Sequence, residues 1–424
     1  MNDLSLTSPR FLAGTPKPSG LDRLARRQVL TRLAGIADGR LTVREGDRQS
    51  VYGSGEGPQA EITVRDPRFY SDVAFAGSIG AGEAWIRGYW DSPRLTEVVR
   101  LLLRNRHVLE NLETGLARLT KPLQKAFHWL NENSRKGSRR NIAAHYDIGN
   151  DFFALWLDEN MMYSSAVFER PDMSLDQAST AKLERICRKL DLAPGERVLE
   201  IGTGWGGFAI HAAKHYGCHV TTTTISREQY ELARQRVAAA GLEDRITLLL
   251  EDYRDLEHHV EEPFDKLVSI EMIEAVGHRF LGQYFDTCSR LLKRDGLMCL
   301  QSITIADQRY AGALKSVDFI QRYIFPGGFL PSLTALTGAL TAHSDMRVVH
   351  SEDIGPHYAT TLARWRERFL AKLDEVRELG YTDDFQRLWT YYLGYCEGAF
   401  IERAIGNVQL LIAKPFNRRE PYPA

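Results

Sequence analysis

The stretch Val198–Ala213, "VLEIGTGWGGFAIHAA", decides the fold. Apolar and acidic residues typical of a strand run into glycines and then into a helical pattern. The turn therefore lies at the C-terminal edge of a parallel strand, where α/β folds bind their ligands. Gly202, Gly204 and Gly207 fit the dinucleotide pattern G-x-G-x-x-G, while Gly202, Gly204 and Gly206 fit the G-x-G-x-G of S-adenosylmethionine (SAM) methyltransferases. Spacing alone leaves both open.

Outward from that turn, helical and strand-like segments alternate. "STAKLERICRKLDL", "GGFAIHAAKHYG", "EQYELARQRVAAAG" and "FLGQYFDTCSRLLKRDG" read as helices between the strands "RVLEIG", "HVTTTTIS", "ITLLLED", "FDKLVSIEM" and "LMCLQSITI". This alternation predicts an α/β fold with a mostly parallel, Rossmann-like sheet and right-handed crossovers. After residue 310 the chain turns helical and aromatic-rich, as expected of an insertion over the ligand cleft. Upstream, "RLTVREGDRQSVYGSGEGPQAEITVRD" reads as strands around a glycine-rich turn. "GSIGAGEAWIRGYWDSP" reads as a compact turn and "RLTEVVRLLLRNRHVLENL" as an amphipathic helix. The expected division is an accessory α+β domain over 1–110, a basic amphipathic helical linker over 111–140 and a catalytic domain over 141–424. In the linker, Leu119, Leu123, Phe127 and Leu130 share a helical face. Its tail carries Arg135, Lys136, Arg139 and Arg140, which either face solvent or meet anionic headgroups at roughly 1 kcal/mol per cation.

The 424 residues carry 54 Lys and Arg against 55 Asp and Glu, and 43% are hydrophobic, which suits a globular two-domain protein. Balanced charge and the lack of a nucleic-acid motif argue against a nucleic-acid partner. Cys187, Cys218, Cys288, Cys299 and Cys396 show no metal-ligand spacing and read as reduced thiols. The N-terminus "MNDLSLTSPRFLAG" lacks the basic and apolar regions of a secretory signal, so a cytoplasmic location is expected. The long uncharged run at 323–344 is interrupted by Pro326 and Pro331, which leaves it a role at a bilayer surface or around an acyl chain.

An NAD site places an acidic residue about 20 residues beyond the glycines; here that position reads "TTTTIS". The strand also ends in Glu200, a carboxylate suited to the cationic amino end of methionine and unwelcome beside a pyrophosphate. Both observations disfavour NAD. The missing ribose acid also sets the chain apart from a generic SAM methyltransferase.

Further blocks carry a resemblance. "HYDIGNDFFALWLDENMMYSSAVFE", "VLEIGTGWGG", "TTISREQ", "EDYRDL", "EMIEAVG", "YIFPGGFLPS" and "YYLGYCEGAF", in this order over roughly 140–410, resemble the cyclopropane-fatty-acyl-phospholipid synthase family. The resemblance implies that Gly202, Thr203, Gly204, Gly206 and Gly207 bring backbone against SAM. It implies that Thr224, Ile225, Ser226 and Gln229 replace the ribose acid, that Tyr163 and Ser164 approach SAM from the N-terminal side, and that Asp252 and Tyr253 lie at the adenine. Read singly, Tyr163 is a core aromatic and Asp252 a strand-end cap.

The same resemblance implies methyl transfer to the cis double bond of an unsaturated acyl chain in membrane phospholipids. An alkene is a weak nucleophile that must be held in line, and the carbocation left behind must be shielded from water and flanked by carboxylates or aromatic faces. A bound bicarbonate is implied as the base, held by a Glu, a Tyr, a His and a Cys-containing turn. The Glu matches Glu274 and the Tyr matches Tyr358, while the Cys falls on Ser165 and the His on Gln301. Ala275 stands where the family often has His. An amide donates a hydrogen bond yet takes up no proton near neutral pH. The implied product is a cyclopropane fatty acid, with a methylated or methylene-branched chain as the alternative. Cys396 matches a cysteine once considered catalytic; a thiol nucleophile has no evident step here. A homodimer peripheral to the inner membrane face is implied as well. A methyltransferase of a soluble small molecule and an inactive lipid-binding relative are the competing readings.

Overall fold

A computed structural model describes residues 18–114 and 148–419. The basic linker tail, with Arg135, Lys136, Arg139 and Arg140, lies outside the described residues. The described chain forms two compact units, and the first gathers residues up to 114 with Ser316–Ile324 and Leu362–Ala404. That unit is discontinuous in sequence, which a linear division at about residue 110 does not describe.

In the first unit, β1 (Arg40–Glu45), β2 (Arg48–Tyr52), β3 (Gln59–Val64) and β4 (Trp90–Asp91) form a sheet of order β2-β1-β3-β4. β1 and β2 are an antiparallel hairpin, and β1 runs parallel to β3. The expected turn over "GSIGAGEAWIRG" is instead helix: Arg68–Ile86 is kinked at Gly77, where φ is 58°. Its later glycines serve packing, since a Cβ on Gly82 would lie 2.4 Å from the Phe319 ring. The amphipathic segment that follows is two helices, Leu95–Arg104 and Arg106–Thr114. They part at Asn105, whose side chain turns away to accept from the backbone N–H groups of Ala37 and Asp38.

The second unit carries β5 (Arg197–Ile201), β6 (His219–Thr223), β7 (Ile246–Leu249), β8 (Phe264–Ile270), β9 (Leu292–Ile305), β10 (Arg347–Asp353) and β11 (Ile405–Ala413). Their order is β10-β11-β9-β8-β5-β6-β7. Strands β5 to β9 run parallel, while β11 is antiparallel to both β9 and β10. This is the α/β, largely parallel architecture expected of a SAM methyltransferase. Helices Leu175–Leu190, Gly207–Tyr216, Arg227–Ala239 and Leu281–Leu291 alternate with the strands. Two of them start on sequence-encoded caps: Ser174 accepts from Gln177 N–H in a capping box, and Ser226 accepts from Gln229 N–H. The order of the sheet reverses between β5 and β8, so their C-terminal ends open a crevice at the switch point. No described helix is long and apolar enough to cross a membrane.

Candidate active site at the β5/β8 switch point

The glycine turn leaves β5 as the sequence predicts. Gly202 has φ of 105°, a conformation that strongly favours glycine. At Gly207, where the following helix begins, a Cβ would lie 2.7 Å from the Asn160 carbonyl oxygen, so the chain segment before Tyr163 presses directly on the turn. Arg236 fastens this contact by donating to the Asn160 and Trp205 carbonyls at 3.0 and 2.7 Å. Beneath the turn, Glu200 is buried and accepts from Thr222 Oγ1 at 2.6 Å, and Thr222 in turn shares a hydrogen bond with Thr203. Desolvation pushes the Glu200 carboxyl up to about 8, against the lowering effects of Thr222 and Lys182. A ligand cation brought to the turn would favour its ionised form.

The cluster expected to replace the ribose acid is built as a cap. Thr224 Oγ1 donates to Gln229 Oε1 at 2.9 Å, and the Ser226 N–H donates back to Thr224 Oγ1. With its carbonyl end occupied, Gln229 presents its amide nitrogen as the donor for a ligand. Ile225 links Thr224 to Ser226 in this cluster and is half-buried. Asp252 receives the Arg254 guanidinium on both oxygens and caps the 3-10 turn Tyr253–His258. Tyr253 packs edge-on against Tyr284. Tyr163 lies among Phe153, Trp156 and Phe325, and Ser164 accepts from Lys182 at 2.9 Å. Lys182 is fully buried; desolvation brings its ammonium down to about 8, while Glu271, Asp158 and Glu200 work in the opposite direction. The turn, the buried carboxylate and the Thr224–Gln229 cap together fit SAM.

Of the five residues expected to act on substrate, Ser165, Gln301 and Tyr358 converge on a single carboxylate. It is Glu271, three residues before Glu274. Glu271 Oε1 accepts from the Ser165 N–H at 3.0 Å, from Gln301 Nε2 at 2.8 Å and from Asn407 Nδ2 at 2.5 Å. Its Oε2 accepts from the Tyr358 hydroxyl at 2.8 Å. Glu271 has φ of 50°, in the left-handed region, and its own N–H donates to the Gln301 carbonyl at 2.8 Å. Holding a residue with a Cβ there costs on the order of 1–3 kcal/mol, a strain found mostly where function requires it.

Glu274 lies alongside. Its Oε1 accepts from Ser302 Oγ and the Ile303 N–H, and among the described residues its buried Oε2 has no hydrogen-bond partner. Desolvation first, and then the charge of Glu271, push its carboxyl up to about 8. The expected bicarbonate does not fit this arrangement: the Ser165 N–H, Gln301 amide and Tyr358 hydroxyl that would hold it are already engaged with Glu271. The aromatic segment after residue 323 borders the pair, since the Phe329 N–H donates to the Glu274 carbonyl and Phe325 packs on Tyr163.

Cys396 belongs to the first unit, on the helix Asp383–Ile401, where burial raises its thiol well above the ordinary range. Sequence reasoning missed Glu271, Asn407, Lys182 and Arg236. The signal for Glu271 was its place immediately after "FDKLVSI", at the ligand edge of β8.

Residues 133–410 match the family described as mycolic acid cyclopropane synthetase. The tuberculostearic acid methyltransferase UfaA1 of Mycobacterium tuberculosis is 41% identical over 333 residues, covering 76% of this chain and 76% of its own. The cyclopropane-fatty-acyl-phospholipid synthase of Escherichia coli K12 is 38% identical over 378 residues, 87% of this chain and 91% of its own. Among solved structures, the mycolic acid cyclopropane synthase CmaA1 complexed with SAH and CTAB is 33% identical, with a TM-score of 0.60 over 65% of this chain and 98% of that one.

Proposed function

The chain belongs to the mycolic acid cyclopropane synthetase family and is a SAM-dependent methyltransferase that modifies unsaturated acyl chains, and from that premise we propose a specific reaction. It adds one carbon from SAM to the cis double bond of acyl chains carried by membrane phospholipids. It then removes a proton from the transferred methyl. The observation that carries this reading is the carboxylate pair Glu271 and Glu274 at the C-terminal end of β8, next to the strand that carries the glycine turn, with Glu271 held by the Ser165 N–H and the Tyr358 hydroxyl.

When bound, SAM supplies an electrophilic methyl on a sulfonium. The chain's own residues do the rest. The glycine turn and Arg236 fix the floor against which the donor sits, and Gln229 and Glu200 offer a hydrogen-bond donor and a negative charge. The aromatic faces of Tyr163 and Phe325 and the carboxylate of Glu271 suit a developing carbocation, which they stabilise while keeping water away. Basic residues in the linker sequence, Arg135 to Arg140, suit anionic headgroups.

A second reading of the product is favoured by Ser165, Gln301 and the occupied anion site. Direct collapse of the cation closes a cyclopropane, whereas a hydride shift before proton loss leaves an exocyclic methylene branch. The relative named as a methyltransferase of tuberculostearic acid supports the branch; the relative named as a cyclopropane synthase supports the ring.

Radiolabelled-methyl SAM and vesicles of dioleoyl phosphatidylglycerol test the proposal. Label recovered in acyl chains after saponification is expected. Label absent from lipid but transferred to a soluble amine or phenol would contradict it.

A further inference from the structure

Resting on the reaction just proposed, we infer that Glu271 is its base, standing on the chain itself in place of an external anion, so that the enzyme turns over without bicarbonate. Four hydrogen-bond donors converge on the Glu271 carboxylate: the Ser165 N–H, Gln301 Nε2, Asn407 Nδ2 and the Tyr358 hydroxyl. An oxygen that accepts from three donors carries no proton, so Oε1 is set as an acceptor. The side chain remains half-buried, which leaves it open to the cleft.

The donors are themselves oriented from behind. Gln301 Oε1 accepts from Gln409 Nε2 at 2.9 Å, Gln409 Oε1 accepts from Lys189 Nζ at 2.7 Å, and Lys189 is paired with Glu352. An ammonium can only donate. Each amide in the series is therefore turned one way, and the Gln301 NH2 must face Glu271. Strands β8, β9 and β11 hold this line in register, with Ile270 opposite Gln301 and Gln301 opposite Gln409.

The left-handed backbone of Glu271 is the second, independent observation. A glycine would adopt it freely, and the chain places a carboxylate there. Glu274, whose carboxyl burial pushes up to about 8, is the partner that stays protonated, so the pair divides into one base and one acid.

The step balances on these groups. A C–H bond of the transferred methyl breaks and its proton passes to a Glu271 oxygen. The electron pair left behind quenches the carbocation, either directly as the new ring bond of a cyclopropane or, once a 1,2-hydride shift has moved the cation onto the methyl-bearing carbon, as the double bond of an exocyclic methylene. Glu271 ends as a neutral acid and returns the proton to water between turnovers.

The test is turnover on dioleoyl phosphatidylglycerol vesicles in degassed, bicarbonate-free buffer, with and without added bicarbonate, alongside binding of S-adenosylhomocysteine. Wild type is expected to run equally in both buffers. Glu271→Gln is expected to lose about 10²–10⁴-fold in kcat while binding S-adenosylhomocysteine as wild type does. Glu271→Gly, which empties the cradle and relieves the backbone, is expected to regain turnover with added bicarbonate or acetate, an effect that a merely structural role would not produce. Wild-type turnover that collapses without bicarbonate, or a Glu271→Gln enzyme near wild-type rate, overturns the inference and leaves the proposed reaction standing. Should the Gln variant fail to bind S-adenosylhomocysteine, a binding-competent Gly variant that no small carboxylate restores overturns it too. No label in acyl chains with wild type in either buffer brings down the proposed reaction, and the inference with it.

Discussion

Tyr358 donates its phenolic hydrogen to Glu271 Oε2 at 2.8 Å across 87 positions of sequence. The helix Gly355–Ala371 delivers Tyr358 in its first turns, and the end of β8 delivers Glu271. Tyr358→Phe removes this donor to Oε2 without changing the ring. A hydrogen bond to a charged group contributes about 1.5–3 kcal/mol, so kcat is expected to fall about tenfold to a hundredfold while SAM affinity stays put. Steady-state kinetics with vesicle substrate, paired with calorimetric SAM binding, checks the split.

The glycine turn makes a sharper steric prediction. Gly207→Ala sets a Cβ 2.7 Å from the Asn160 carbonyl and against Met162 Sδ, and neither the turn nor the Arg236-fastened segment has room to give. SAM affinity is expected to drop by at least about tenfold, a loss on the order of 1.4 kcal/mol. Gly204→Ala, which meets open space, is expected to lose less because only backbone strain at φ 53° opposes it. Equal losses in the two variants would contradict the packing account.

Buried carboxyls set a pH signature. Glu200 and Glu274 hold their protons up to about 8 in the folded chain, against an ordinary 4.5. Between those values the folded state binds more protons than the unfolded state, so these two groups make stability fall as pH rises from about 5 to 8. Glu200→Gln and Glu274→Gln remove that dependence. Their melting temperatures, measured without ligand, are expected to improve relative to wild type across that range. A difference that stays flat or reverses would contradict the assignment.

The line from Lys189 through Gln409 to Gln301 predicts an effect at a distance. Lys189→Met removes the group that fixes the direction of both amides, and Gln301 is then free to turn its carbonyl toward Glu271. Turnover is expected to fall several-fold with SAM affinity unchanged. Unaltered kcat in a folded Lys189→Met enzyme would show that Gln301 is oriented by other contacts.

Much of this was legible in the sequence because it is local. The strand–glycine–helix transition at Val198–Ala213, the Ser226 cap and the alternation that builds the parallel sheet each depend on residues a few positions apart. The departures are long-range. The helix through Gly80 and Gly82 reads as a turn because Gly82 answers to Phe319 and Tyr391, far along the chain, while Gly80 answers to the Asp72 carbonyl across the kink. Glu271 was hidden for the same reason: its partners come from positions 165, 301, 358 and 407, and no periodicity connects them. Resemblance pointed to Glu274, three residues away, where packing instead isolates a carboxyl with one oxygen unpartnered.

The most direct test of the account is the isotope content of the product. Wild-type enzyme would be given SAM with a trideuterated methyl and dioleoyl phosphatidylglycerol vesicles in bicarbonate-free buffer, and the acyl chains examined by mass spectrometry and proton NMR. Two retained deuteriums are predicted, because Glu271 takes one from the transferred methyl; upfield ring signals or exocyclic methylene signals then distinguish the cyclopropane from the branch. Three retained deuteriums would contradict the account, since the base would not have touched the transferred carbon.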